Sequence, residues 1–284
     1  MIDVRNLVFR YPGNEQPTLQ GLDFHIDKGE IFGFLGPSGS GKSTTQNLLI
    51  GLHKQYEGEA KVFGKEVRDL KNDYYEKVGV SFELPNHYQK MTALENLNFF
   101  RSLYKGKTNE PEKLLEILDL LKDKDKRVSD FSKGMQMRLN IARSLVNAPD
   151  LLFMDEPTSG LDPVNARRVK DLIIDLKEKG HTIFLTTHNM NVAEELCDRV
   201  AFIVDGHIKL IESPRKLKMQ YGERLVSVTH RVEQSSQIED FQLEGLGDNE
   251  RFLELLRGNA IETIHTKEAT LEDIFIQVTG RELV

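Results

Sequence analysis

Short apolar runs broken by Gly, Pro and Asn open the chain. Ile2–Val8, Leu22–Ile26 and Ile31–Leu35 read as strands. A helix then runs on through Gln46–Leu52, and Ala60–Val62 and Val78–Phe82 are further strand candidates. From Thr92 to Leu121 the apolar spacing lengthens to a helical period. Leu94, Leu97, Phe100 and Leu103 fit one helix, and Pro111 opens a second that carries Leu114, Leu115, Ile117, Leu118 and Leu121. Lys133–Val146 reads as a third. Alternation then resumes: strand Leu151–Met154, helix Val164–Lys177, strand Thr182–Leu185, helix Asn191–Cys197, strand Ala201–Val204. That order predicts a parallel, helix-covered sheet.

The helical run from about 92 to 146 interrupts this sheet as an inserted subdomain, which begins near 83 when its leading loop is included. The character changes again around Tyr221-Gly222. Beyond it, strand-like Leu225–Thr229, helix-like Asn249–Leu256, strand-like Ile261–His265 and a helix over about Leu271–Val278 form a small α+β appendage. The expected division is a domain over 1–220, with its helical subdomain at about 83–146, and an accessory region over 221–284. No internal repeat or low-complexity tract is present.

Composition narrows the function classes. Of 284 residues, 39% are hydrophobic, enough for one large core or two smaller ones. The net charge is −7, so no overall basic field recruits nucleic acid, and no nucleic-acid partner is expected. The local run Lys122-Asp-Lys-Asp-Lys-Arg127 is nearly neutralised by its own acids and reads as a solvated loop. A single cysteine, Cys197, rules out an internal disulfide, and its apolar neighbours Val192, Leu196 and Val200 mark it as a buried structural thiol. The N-terminus lacks a signal-peptide pattern, and no apolar run approaches the roughly 18 residues of a membrane span. The expectation is a cytoplasmic chain whose membrane role, if any, comes through another protein.

The most informative stretch is Gly36-Pro37-Ser38-Gly39-Ser40-Gly41-Lys42-Ser43-Thr44. It is G-x-x-x-x-G-K-[ST] between an apolar strand and a helix, the setting that gives this pattern meaning. Glycines let successive N–H groups turn inward onto phosphate oxygens, and the helix that follows aims its positive end at the same place. Lys42 can reach the β- and γ-phosphates, and Ser43 can offer a hydroxyl to Mg²⁺. Further on, Leu151-Leu-Phe-Met-Asp155-Glu156 is an apolar strand ending in two acids. In such sheets a carboxylate at a strand's C-terminal end lies beside the phosphate loop. Asp155 is placed to serve Mg²⁺ and Glu156 to polarise an attacking water. Ser132 opens the third helix as an N-cap, and Gly134 lets an anion approach the backbone there.

Together these motifs resemble the nucleotide-binding subunit of an ABC transporter. Asp155-Glu156-Pro157-Thr158-Ser159-Gly160-Leu161-Asp162-Pro163 resembles the family's Walker B and D-loop segment. Thr186-Thr187-His188 resembles its switch-histidine segment. Ser132-Lys133-Gly134-Met135-Gln136 stands at the signature position, and Tyr11 at that of the aromatic residue that stacks on adenine. The resemblance covers about residues 1–210. It implies an α/β fold: a P-loop NTPase core with a mixed sheet, an inserted helical subdomain and a small C-terminal α+β appendage.

It also implies roles. Tyr11 stacks on the base, Gly36 to Thr44 hold the phosphates of ATP, Ser43 and Asp155 serve Mg²⁺, Glu156 polarises water, and His188 contacts the γ-phosphate. Ser132 and Gly134 would bind ATP held by a second nucleotide-binding subunit. A homodimer is the simplest arrangement and a different nucleotide-binding chain the alternative.

Two departures from the family pattern stand out. Glu83 occupies the place where the family usually carries glutamine; Gln89 is the rival position, later in the loop. An ionised glutamate accepts hydrogen bonds but donates none, so Glu83 is expected to act on Mg²⁺ rather than on the water. In the signature, Lys133 replaces a glycine and adds a positive charge near a helix start, which is unfavourable for the helix. The Lys-Gly-Met run and the terminal Thr270-Leu-Glu-Asp-Ile-Phe275 resemble exporter ATPases of the antibiotic-resistance class.

The expected function is ATP hydrolysis that energises export of a drug, lipid or other small molecule by a separate transmembrane permease. The subunit would sit peripherally on the inner face of the cell membrane, docked through about 83–135. The alternatives are a soluble ABC ATPase acting on a ribosome, nucleic-acid or protein complex, and an importer subunit.

Overall fold

The computed structural model describes residues 1–222, 225–232, 235–258, 261–267 and 269–281. The elements in chain order are β1 (Ile2–Phe9), β2 (Leu19–Ile26), β3 (Ile31–Leu35), α1 (Lys42–Ile50), β4 (Glu57–Val62), β5 (Lys65–Glu66), α2 (Asn72–Tyr75) and β6 (Val78–Ser81). Next come α3 (Ala93–Ser102), α4 (Pro111–Ile117), α5 (Lys133–Ser144), β7 (Leu151–Asp155), α6 (Pro163–Glu178), β8 (Thr182–Thr187), α7 (Met190–Leu196), β9 (Arg199–Val204) and β10 (His207–Glu212). The tail holds α8 (Pro214–Tyr221), β11 (Leu225–Val232), β12 (Ser235–Gln242), α9 (Glu250–Arg257), β13 (Ile261–Lys267) and α10 (Leu271–Thr279). The chain divides into two compact units, Met1–Pro214 and Arg215–Arg281.

In the first unit, β10-β9-β3-β8-β7-β6 form one sheet. All its pairings are parallel except that of β10 with β9. Every residue of β3, β7 and β8 is buried, the continuous burial expected of central parallel strands covered on both faces. A second, antiparallel sheet has the order β2-β1-β4-β5. Phe24 on β2 joins the two: its ring lies 5.8 Å from Phe32 and 5.5 Å from Phe34 on β3. Phe184 on β8 continues the cluster, 5.5 Å from Phe34 and 5.6 Å from Phe153 on β7. Such ring pairs contribute roughly 0.5–1.5 kcal/mol each beyond their burial. They hold together the strands whose ends carry the site.

Between β6 and β7 the chain is helical, and α3, α4 and α5 pack on one another. Here the helix expected from Pro111 to Leu121 is shorter: it ends at Ile117, and Asp119 takes a left-handed backbone (φ 55°) that breaks the turn. The run Lys122–Arg127 lies in the connection that follows, with Lys124 paired to Glu112 and Lys126 to Asp123. Cys197 is buried at the end of α7, where a Cβ on Gly33 would lie 2.6 Å from its Sγ. Burial pushes its thiol pKa up, so it is inert.

The second unit has the antiparallel sheet β12-β11-β13. Its core is Val226, Val228 and Phe241 with Phe252 and Leu255 of α9. The sequence pattern does not announce β12. Its two apolar residues face opposite ways, with Phe241 buried and Ile238 70% exposed, so no apolar stripe marks it. Among the described residues no helix is long and apolar enough to cross a membrane.

The inter-sheet ring cluster yields a stability prediction. Phe184→Ala removes a fully buried ring that three neighbours touch, and should cost roughly 3–5 kcal/mol. Urea denaturation followed by circular dichroism should show that loss; a change below about 1 kcal/mol would mean the cluster does not hold β3, β7 and β8 together.

Candidate functional site

The site begins where β3 stops. At Gly36 a Cβ would sit 2.1 Å from the carbonyl oxygen of Ile203, so the chain can pass β9 only as glycine. Gly39 and Gly41 take φ of 78° and 113°, a backbone that L side chains rarely adopt. Ser38 and Gly39 are exposed at the loop's crest, with Pro37 half-buried below. Helix α1 then starts with no side-chain cap and no acid in its first turn. Its leading N–H groups and its positive end are left for an anion. Lys42 folds back meanwhile: its Nζ donates to the carbonyls of Gly36 (2.7 Å) and Pro37 (2.9 Å). Burial pushes its pKa down, against the pull of Glu156, Asp155 and Glu83. The Ser40 hydroxyl is buried without a partner. This loop, with its left-handed glycines and the uncapped helix start that follows, fits a triphosphate.

The acids come from the next strands. Asp155 ends β7 directly opposite Thr186 of β8. The Thr186 hydroxyl donates to its Oδ1, and the Ser43 hydroxyl donates to its Oδ2 at 3.3 Å. Burial pushes the Asp155 pKa up, opposed by those two hydroxyl bonds. A buried carboxylate and a hydroxyl side by side are oxygen donors suited to a hard dication. Glu83 is exposed and near enough to act on Lys42, yet among the described residues no hydrogen bond or ion pair ties it to Ser43 or Asp155.

Glu156 is the strained member. Its φ is +47°, which for a residue with a side chain costs of order 1–3 kcal/mol. The backbone is held there by its N–H donating to the Thr186 carbonyl at 2.9 Å. Its carboxylate receives three donors: the Thr187 hydroxyl at 2.8 Å, the His188 N–H at 2.8 Å and the His188 Nδ1 at 2.6 Å. With Nδ1 donating to the carboxylate, Nε2 stays available on a side chain that is 59% exposed. Glu156 and His188, remote in sequence, are thus one unit, and Thr187 is a third member, to which the motif reading gave no role.

Tyr11 lies across the phosphate loop. Its hydroxyl is 3.2 Å from Thr44 Oγ1, and its ring meets Phe9 edge-on at 4.9 Å and His53 at 5.4 Å. His53 was invisible as a site neighbour in sequence, because only the fold brings the end of α1 beside β1.

Ser132 and Gly134 sit elsewhere in the chain. The Ser132 hydroxyl accepts from Met135 N–H at 3.2 Å as the N-cap of α5. A Cβ on Gly134 would find Leu161 and Gly160 at 3.5 and 3.7 Å, not the phosphate loop. The polar stripe Gln136, Asn140, Arg143 and Asn147, at the start, middle and end of α5 and just beyond it, ties this helix to the segment from Tyr75 to His87. The Gln136 carbonyl bonds His87 Nε2 (3.0 Å), and Asn140 Nδ2 donates to Ser81 Oγ (3.0 Å) and the Phe82 carbonyl (2.7 Å). Arg143 donates to the Asn86 carbonyl, and Asn147 to the carbonyls of Tyr75 and Val78.

Comparison with known proteins gives the family. A family model described as ABC transporter matches residues 19–159, and one described as fluoroquinolone efflux ABC transporter C-terminal domain matches 224–268. A fluoroquinolones export ATP-binding protein of Mycobacterium tuberculosis is 55% identical over 284 residues, spanning 100% of this chain and 94% of the relative. The bacitracin transport ATP-binding protein BcrA of Bacillus licheniformis is 34% identical, with 93% of each chain covered. Among solved structures, a dimeric post-hydrolysis state of an ATP-binding cassette bound to ADP and Pi superposes with a TM-score of 0.69 at 30% identity. That match covers 75% of this chain and 98% of the other.

The His87 contact gives a pH prediction. Burial pushes the His87 pKa down to about 4, so the folded protein keeps it neutral while the unfolded chain protonates it near pH 6.5. Its contribution is therefore whole above about pH 6.5 and lost as pH falls towards about 4, at up to about 1.4 kcal/mol per pH unit. Urea unfolding at pH 7, 6 and 5 should show the wild type losing stability faster than His87→Leu; parallel curves would contradict it.

Proposed function

The chain belongs to the ABC transporter family, and from that premise we propose how its residues divide the work of an ATP-hydrolysing export subunit. It hydrolyses ATP to ADP and phosphate and energises transport by a separate membrane permease. The observation that carries the assignment of roles is the Glu156–His188 pair at the ends of β7 and β8, beside the empty-capped start of α1.

In this reading residues 36–44 hold the phosphates of ATP, which take up the N–H groups at the uncapped start of α1. Lys42 exchanges the carbonyls of Gly36 and Pro37 for phosphate oxygens, and Tyr11 leaves Thr44 to stack on the base. Ser43 and Asp155 are the residues that would hold Mg²⁺, with Glu83 as a further acid, and the ion would offset charge on the phosphates. That offset is needed because Asp155, Glu156 and Glu83 already surround Lys42 with negative charge. Glu156 accepts the proton of the attacking water while the P–O bond to ADP breaks and phosphate leaves. His188 and Thr187 aim the Glu156 carboxylate, and His188 keeps Nε2 for the γ-phosphate.

Ser132 and Gly134 do not reach their own phosphate loop, which supports a head-to-tail homodimer in which they close on the partner's ATP. The dimeric structural neighbour supports the same assembly. We assign ATPase work to about 1–220, with permease docking on about 83–135, and an accessory role to 221–284. Through the permease the subunit would lie on the cytoplasmic face of the membrane. The cargo we propose is a fluoroquinolone-like drug, on the strength of the 55% identical relative and the tail that matches a fluoroquinolone efflux domain. The export name of the 55% identical relative favours this reading over the importer and ribosome ones.

Glu156→Gln should retain ATP binding, lose at least about a hundredfold in hydrolysis, and run as a dimer with ATP on size exclusion. A monomer under those conditions would sink the sandwich arrangement. For Glu83→Gln, turnover in the presence of the permease should change by severalfold while ATP affinity stays constant. Equal turnover of the two proteins would remove Glu83 from the mechanism.

A further inference from the structure

We propose that β12 is a pairing edge for a second copy of this chain. Two β12 strands meet antiparallel about a two-fold axis, Ile238 faces its own counterpart, and the two three-stranded sheets become one. This rests on the reading of 221–284 as an accessory unit and is independent of the ATP sandwich.

In the sheet β12-β11-β13 each outer strand leaves a row of backbone N–H and C=O groups without a ladder among the described residues. The two edges differ. β13 meets β11 with a register shift between Thr229 and His230, a break that spoils an edge as a template. β12 pairs with β11 in continuous register from Ser235 to Gln242. It holds no proline, lysine or arginine, the residues that commonly guard such an edge. At its middle Ile238 is 70% exposed. The strand is also held firmly in place. The Glu239 carboxylate bonds His230 Nε2 of β11 at 2.8 Å and accepts from Arg251 Nη2 of α9 at 2.7 Å. An edge fixed in this way gives up little conformational freedom when another strand adds to it.

The residues of β12 select a second copy and a register. A two-fold axis normal to the sheet keeps the faces of both strands, so opposed residues must point to the same side. The pairing is therefore centred on a single residue. Centred on Glu239 it sets two Glu239 carboxylates against each other, and centred on Asp240 two Asp240 carboxylates; like charges directly opposite are destabilising. Centred on Gln237 it covers only Ser235 to Glu239. Centred on Ile238 it runs from Ser235 to Phe241. Gln237 then opposes the partner's Glu239, and Ser236 the partner's Asp240. Each acid faces a side chain that can donate a hydrogen bond, and the exposed Ile238 leaves water against its counterpart.

A contact of two strands is small beside the roughly 1,200–2,000 Å² of a stable interface, so the dimer should be weak, with a Kd on the order of 10–100 µM. Sedimentation velocity of the nucleotide-free full chain at about 5 to 200 µM spans that range and should show monomer passing to dimer. Ile238→Lys and Ile238→Glu, both at an exposed position, should each weaken the dimer at least tenfold. An equal mixture of the two should regain it, because the residue faces itself. Ile238→Cys should link two chains under a mild oxidant, since Cα atoms opposed in an antiparallel pair lie about 4.5–5.5 Å apart, within disulfide reach. The native Cys197 is buried and stays out of this reaction. Ser236→Cys should not link, its counterpart lying four residues along the strand.

A wild type that stays monomeric over the whole range leaves the edge to some other protein and overturns the proposal. So does a nucleotide-free dimer that neither Ile238→Lys nor Ile238→Glu weakens. A mixture that fails to re-form the dimer, or linking by Ser236→Cys as strong as by Ile238→Cys, overturns the register. Glu156→Gln combined with Ile238→Lys should still run as a dimer with ATP. If it is monomeric while Glu156→Gln alone is dimeric, the unit is required for the sandwich and the accessory reading itself falls.

Discussion

The parallel pairing of β3, β8 and β7 is the constraint on which the site depends. It sets Leu35 against Thr187 and Asp155 against Thr186, so three strand ends finish together at one edge of the sheet. From that edge depart the phosphate loop, the Asp155-Glu156 pair and His188. A slip of one residue in any of these strands would turn its side chains to the other face and separate Ser43, Asp155 and Thr186. The ring cluster of Phe32, Phe34, Phe153 and Phe184 makes such a slip expensive, because all four rings are fully buried.

The charges at this edge are out of balance by design of the fold. Lys42 is surrounded by Asp155, Glu156 and Glu83, and each acid is restrained differently. Asp155 is buried and bonded by two hydroxyls, Glu156 is strained and bonded by three donors, and Glu83 is exposed. A strained backbone that delivers a fully bonded carboxylate keeps Glu156 in place before substrate arrives, which lowers the reorganisation left for the reaction. The cost in stability is carried by the rest of the core.

Helix α5 links this chemistry to the outside. Ser132 caps its N-terminus, and Asn140 and Arg143, with Asn147 just beyond, donate to main-chain carbonyls between Tyr75 and Asn86. Asn140 and Asn147 are buried, so breaking one of these bonds leaves a desolvated donor or acceptor. These bonds tie the helix that Ser132 opens to the segment that leads into the helical region.

Much of this was legible in the chain. The glycine-rich loop before a helix, the apolar strand ending in Asp155-Glu156 and the order of strands and helices are local patterns, because glycine tolerance, strand burial and helix capping act between near neighbours. Other features lay beyond it. The Glu156–Thr187–His188 bonding, Tyr11 resting on Thr44 beside His53, and the bond from Arg143 to the Asn86 carbonyl depend on segments far apart in sequence. So does the edge strand β12, whose pattern carries no apolar stripe. The sequence by itself determined which residues could meet a phosphate, because backbone freedom and side-chain chemistry are properties of single residues. Only the tertiary structure decided which carboxylates are bonded and which cations are desolvated, because desolvation and pairing are properties of neighbours in space.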